Sequence, residues 1–190
     1  MMQMKRRIFK FKKMHVSRAL LGFSLLLTIG CGPHPSINPH VCTSIDLVAE
    51  VRLLNGKGEN LLDPTTTGYY DQSYIKLFYV SKGVKTEVYN PMLDTPRNFK
   101  IIDNGIGEPL ILLYLNANTS DLDWSTTLVQ WTERDVDTLR AQIVSTHSGG
   151  CESTYFSKVQ YNGQTKYDMA TYQPVTWGNA VFYKLITVTK

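Results

Sequence analysis

The stretch "IDLVAEVRLL", residues 45–54, decides the fold class. Ile45, Leu47, Ala49, Val51 and Leu53 alternate with Asp46, Val48, Glu50 and Arg52. A period of two places one set of side chains on one face of an extended chain, so the stretch predicts a half-buried strand. Read onward, "YIKLFYV" (74–80) and "VKTEVY" (84–89) are strands joined by a Lys82-Gly83 hairpin turn. "FKII" (99–102) and "PLILLYLN" (109–116) flank the turn cluster "DNGIGE". "TTLVQWTE" (126–133), "TLRAQIV" (138–144), "TYFSKVQYN" (154–162) and "AVFYKLITV" (180–188) follow, and Asn162-Gly163 is a strong hairpin signal. The one helical candidate, "WTERDVDTLR", contains Asp-Val-Asp, which reads as a turn. About nine short strands rich in Val, Ile, Tyr and Thr predict an all-β domain, an antiparallel β-sandwich over residues 42–190.

The N-terminal segment reads differently. Residues 1–18 carry Lys5, Arg6, Arg7, Lys10, Lys12, Lys13 and Arg18 and no acid, and Ala19–Ile29 has no charge. A basic region followed by an apolar run of this length is the pattern of an export signal. The run is shorter than the roughly 20 residues a membrane-spanning helix needs. Thr28-Ile29-Gly30-Cys31 resembles the lipobox of bacterial lipoproteins, in which the cysteine is lipidated and the chain is cut before it. Thr28 departs from the common Leu, which here stands one place earlier as Leu27. The resemblance implies a signal peptide over 1–30, lipid on Cys31 and a membrane-anchored protein of the cell envelope. Gly32 in place of an aspartate points to the outer membrane. Residues 31–41, "CGPHPSINPHV", then form a Pro-rich tether from lipidated cysteine to domain. His34 and His40 sit in it as solvated side chains.

Export changes the charge balance. The chain of 190 residues has net charge +4, but without residues 1–30 only 13 Lys and Arg face 16 Asp and Glu, a net −3. That leaves no basic footprint for nucleic acid. Thiols in an oxidising compartment tend to pair. With Cys31 lipidated, Cys42 and Cys151 remain as an even pair, expected as a disulfide, with two free thiols as the alternative.

"GKGENLLDPTTTGYYDQSYIKLFYV" (56–80), Thr126–Trp131, Asp135–Leu139, Cys151 and Tyr161–Gly163 resemble a recurring pattern in uncharacterised lipoproteins of the Bacteroidetes lineage. The likeness covers most of 42–163. It implies a small immunoglobulin-like all-β domain and carries over no catalytic residue.

Motifs for chemistry are sparse. The chain has no His-Glu-x-x-His, Cys-x-x-Cys, Gly-x-Ser-x-Gly or phosphate-loop pattern, so no catalytic residue, cofactor or metal is expected. His147, in "STHSGGCES", reads as an exposed loop residue rather than the partner of a serine nucleophile. The pairs Asp121/Asp123 and Asp135/Asp137 read as solvated turn acids, with calcium binding as the alternative. In the Asn60–Asp63 loop, Asn60 and Asp63 are expected to bond local backbone, and Leu61 and Leu62 to fold onto the core. Loop aromatics supply the candidates for contact with an envelope protein or glycan: Tyr69, Tyr70, Trp124, Tyr172 and Trp177. Two functions compete. One is a non-catalytic envelope module, not an enzyme, that binds or supports a partner. The other is a carbohydrate-binding accessory lipoprotein that uses these aromatics.

Overall fold

A computed structural model describes residues 42–121, 123–177 and 180–190. The expected signal peptide (1–30), Cys31 and the tether to residue 41 lie outside the described residues. The chain runs β1 (Cys42–Asp46), β2 (Val48–Leu54), β3 (Lys76–Ser81), β4 (Val84–Glu87), β5 (Phe99–Asp103), β6 (Pro109–Tyr114) and β7 (Thr119–Asp121). It continues through β8 (Trp124–Thr132), β9 (Asp135–Ser148), β10 (Cys151–Tyr161), β11 (Gln164–Asp168), β12 (Val175–Trp177), β13 (Ala180–Phe182) and β14 (Leu185–Thr189).

One sheet has the order β1-β10-β9-β8-β3-β4, with β11 on β10 and β7 on β8. The second has the order β14-β2-β6-β5, and β12 and β13 form a separate pair. The alternation read in the sequence places one side of each sheet against the other. Ala49, Val51 and Leu53 of β2, Ile111 and Leu113 of β6, and Ile186 and Val188 of β14 share one buried cluster with Leu77, Val129, Trp131, Leu139, Ala141, Phe156 and Val159 of the larger sheet. The fold is therefore an all-β sandwich. Full burial of one such aliphatic or aromatic side chain is worth roughly 1.5–3 kcal/mol, so this interface dominates stability.

Both two-residue hairpins form as read. Lys82 and Gly83 have φ of 49° and 79°, and Asn162 and Gly163 have 47° and 80°. Two successive positive φ values define the turn whose twist matches that of the strands, and Asn-Gly reaches them at low cost.

Three expectations are corrected. Fourteen strands are described rather than about nine: the segment at 45–54 breaks at Leu47, that at 180–188 breaks at Tyr183-Lys184, and β7, β11 and β12 fall outside the expected segments. Leu47 is where the chain leaves the larger sheet for the smaller one; alternation continues through such a corner, so the pattern does not betray it. Pairing is mixed rather than purely antiparallel, since β1 lies parallel to β10 and β14 parallel to β2. These partners are distant in sequence, and only such long connections allow parallel neighbours. Asp135-Val136-Asp137 is not a turn but the first three residues of β9.

Candidate functional site

The misread strand start holds the most polar point of the interior. Strand period turns Val136 outward, 43% exposed, and Asp137 inward, 4% exposed. Burial of an unpartnered carboxylate is prohibitive, so its partners decide whether this register survives. The Trp131 indole N–H donates to Asp137 Oδ2 at 2.6 Å, and the Asn162 amide donates to Oδ1 at 2.7 Å. The Tyr161 hydroxyl also donates to Oδ2, and Lys190 Nζ pairs with the same oxygen. Burial pushes the Asp137 carboxyl up, but the bonds from Lys190, Tyr161, Asn162 and Trp131 together hold it below the usual range. Burial and the carboxylate beside it push the Tyr161 hydroxyl strongly upward, so it stays protonated as a donor.

The network reaches the surface through Asp135. Lys190 Nζ lies 2.7 Å from its Oδ1, and the Tyr70 hydroxyl donates to its Oδ2 at 2.5 Å. The Tyr70 ring stacks on Trp131, with centroids 5.5 Å apart. Tyr70 is thereby fixed at both its face and its tip. Lys190 belongs to the segment following β14, so the network also ties the smaller sheet to the larger.

Tyr70 forms one wall of a cleft of about 500 Å³. The loop that carries it is fixed from several directions. Leu61 and Leu62 are buried, as the sequence suggested, and the Tyr70 N–H donates to Leu61 O at 2.7 Å. Asn60 accepts from the Leu62 N–H at 2.9 Å and donates to Pro109 O at 2.8 Å. Asp63 Oδ1 accepts from the Thr65 N–H, and Asp71 Oδ1 from the Ser73 N–H, each at 2.8 Å. These backbone bonds hold both carboxyls below their ordinary range. Opposite stand Ile101, Ile102 and Asp103 of β5, with Asp103 Oδ1 accepting from the N–H groups of Gly105 and Gly107. The cleft is of a size suited to a small ligand, and its lining mixes apolar and polar side chains.

Of the five aromatic candidates, Tyr69 and Tyr70 meet in this cleft, and Tyr69 is 41% exposed. The other three lie elsewhere. Trp124 is seven residues from Trp131 along β8, roughly 23 Å away at the strand rise, and the Arg140 guanidinium lies 5.3 Å over its ring. Trp177 packs against Leu110, Phe182 and Leu185, with Arg52 4.0 Å over the ring. Tyr172 is a strut: its ring meets Tyr167 at 4.9 Å, and its hydroxyl bonds the backbone of Leu185 in both directions. The aromatics therefore do not make one platform.

The acid pairs also part. Asp135 and Asp137 lie in β9 rather than in a loop, Asp137 is buried and Asp135 half-buried, and a cation there would have to displace Lys190. Among the described residues no three acidic, His or Cys side chains are grouped to hold a metal. His147 is exposed in β9, beyond the loop expected for it, opposite Glu152 of β10. The Cys42–Cys151 disulfide is present, with Cα atoms 4.5 Å apart, and joins the first residues of the parallel pair β1 and β10. No protein-family model, curated protein or solved structure matches this chain.

Proposed function

We propose that the chain is a non-catalytic, lipid-anchored cell-envelope protein whose sandwich domain binds a ligand in the Tyr69–Tyr70 cleft. The observation that carries this reading is the cleft itself: an exposed tyrosine beside a second one immobilised by Asp135 and Trp131. A wall fixed before the ligand arrives lowers the ordering cost of binding. The Cys42–Cys151 bridge supports export, because disulfides persist in oxidising compartments. Cys31 at the lipobox-like site supplies the anchor, placed at the outer membrane, and the likeness to Bacteroidetes-type lipoproteins with an immunoglobulin-like domain belongs to the same reading.

A carbohydrate-binding accessory lipoprotein is the second reading. It is favoured by the exposed Tyr69 ring next to carboxylates able to accept sugar hydroxyls. Fractionation of cells expressing the parent and Cys31→Ser tests the anchor: the parent sediments with membranes and the variant is released. A variant that stays membrane-bound overturns it. Glycan-array screening of the purified protein separates the binding readings, since saturable binding lost in Tyr69→Ala selects the second.

A further inference from the structure

The strand β1 contributes no side chain to the core. All of Cys42–Asp46 is exposed, and Leu47 is the first buried residue that follows. The strand lies at the edge of the larger sheet, where β10 is its one partner among the described strands. The part of the sheet it joins is itself not backed by the core: Ser145–Ser148 of β9 are exposed, and Cys151–Tyr155 of β10 are exposed or half-buried. A strand of this kind has only backbone bonds to offset the entropy of ordering it. Exposed backbone bonds are also the first to open in a folded protein.

Two fixed ends hold such a strand in place. At one end the Leu115 N–H donates to Leu47 O at 2.8 Å, and the Leu47 side chain enters the core. Beside it Asp46 pairs with Lys184, but the Asp46 side chain is 57% exposed, and an ion pair so open to solvent holds little. At the other end Cys42 and Cys151 face each other in the parallel ladder and are joined by the disulfide. While that bond stands, Thr43–Asp46 are held between two anchors. Without it the strand keeps only the Leu47 end. Cys42 is exposed and Cys151 half-buried, and exposed disulfides are the ones open to thiolate attack. Neither cysteine belongs to the core cluster, so opening the bond removes no core contact.

We propose that the Cys42–Cys151 bridge is a reducible latch: a dithiol reductant opens it in the folded protein, and β1 then leaves β10 while the sandwich stays intact. One thiolate of the dithiol attacks a sulfur of the bridge and forms a mixed disulfide, releasing the other cysteine as a thiolate that takes up a proton. The second thiol of the reductant then displaces the first cysteine. The dithiol ends as a disulfide, and Cys42 and Cys151 end as two thiols. Release moves the point at which the chain enters the fold from Cys42 to Leu47, roughly 17 Å of extended chain. It also bares the β10 edge over Cys151–Tyr155, whose unpaired backbone groups can take another strand.

The test follows amide exchange by NMR in the purified, ¹⁵N-labelled full chain before and after dithiothreitol, without denaturant. Alkylation and peptide mass report the state of Cys42 and Cys151. The bridge is expected to open under these conditions, and the protected amides among Thr43–Asp46 to lose protection about tenfold or more, while Val51 and Val129 keep theirs within about twofold. Reoxidation restores β1. The variant Cys42→Ser/Cys151→Ser shows the opened pattern without reductant; if it does not fold, reduction of the parent decides alone. A bridge that opens only in denaturant overturns the proposal. So do β1 amides unprotected before reduction or still protected after it, and so does loss of protection at Val51 and Val129 together with β1.

Discussion

Lys190→Met removes the one cation within ion-pair reach of Asp137 among the described residues. Deleting one partner of a buried ion pair costs about 3–5 kcal/mol. Here Asp137 keeps three neutral donors, Trp131, Tyr161 and Asn162, and the Lys190 side chain is itself 18% exposed. Both facts reduce the loss, to about 2–3 kcal/mol at pH 7. The sign with pH follows from the depressed carboxyl. A group whose pKa is lower folded than unfolded stabilises the fold above its unfolded pKa, and that stability is lost as pH falls through the folded pKa. Loss of the Lys190 bond raises the carboxyl in the variant relative to the parent. The parent therefore loses more stability than the variant on acidification, and the gap between them closes. Urea unfolding followed by tryptophan fluorescence, with the disulfide intact, measures this directly. The expected gap is about 2–3 kcal/mol at pH 7 and shrinks as the pH falls through the Asp137 carboxyl. A gap under about 0.5 kcal/mol at pH 7, or one of unchanged size at pH 3, refutes the role given to Lys190.

The Cys42–Cys151 bridge closes a separation of 109 residues, and replacing both cysteines by serine is expected to cost about 2–4 kcal/mol in the same titration. In the mature protein, denaturation without reductant exposes no reactive thiol and two appear after reduction; two before reduction contradict the pairing. Asn162→Ala forces alanine into φ of 47° and removes the amide bonds to Asp137 and Thr138, so about 2–3 kcal/mol is lost; a loss under 1 contradicts the account. Tyr69→Ala leaves stability within about 0.5 kcal/mol because the ring is exposed, whereas Tyr70→Phe costs about 1 kcal/mol through the lost Asp135 bond; equal effects would show that Tyr70 is not fixed as described.

Local patterns carried much of the fold into the sequence. Alternation found the core face of β2 and β8, and Lys82-Gly83 and Asn162-Gly163 announced their turns because positive φ is a local demand. The disulfide was legible from parity once lipid on Cys31 and an oxidising compartment were expected. The sheet switch at Leu47 was not, since a strand bends from one sheet to another without breaking its period. Asp137 stood out as a turn acid but its burial was not legible, because its donors come from residues 131, 161, 162 and 190, and an Asp-x-Asp pair carries no trace of them. The site was half legible. Tyr69 and Tyr70 stood out as loop aromatics, and Asp63 as a turn acid. Asp71 and Asp103 were not singled out, because only the approach of β5 to the Leu61–Gln72 loop brings them to one cleft. Trp124, Tyr172 and Trp177 looked alike in the sequence, yet arginine stacking or backbone bonding occupies each of them.

The anchor at Cys31 is the claim on which the proposed location depends. Intact-mass spectrometry of the protein extracted from the membrane fraction of its expressing cells measures it most directly. The account predicts a chain that begins at Cys31 and carries the added mass of a lipid, removed to the bare peptide mass in no sub-population held at the membrane. A membrane-held chain that begins elsewhere, or one that begins at Cys31 without lipid, would contradict it.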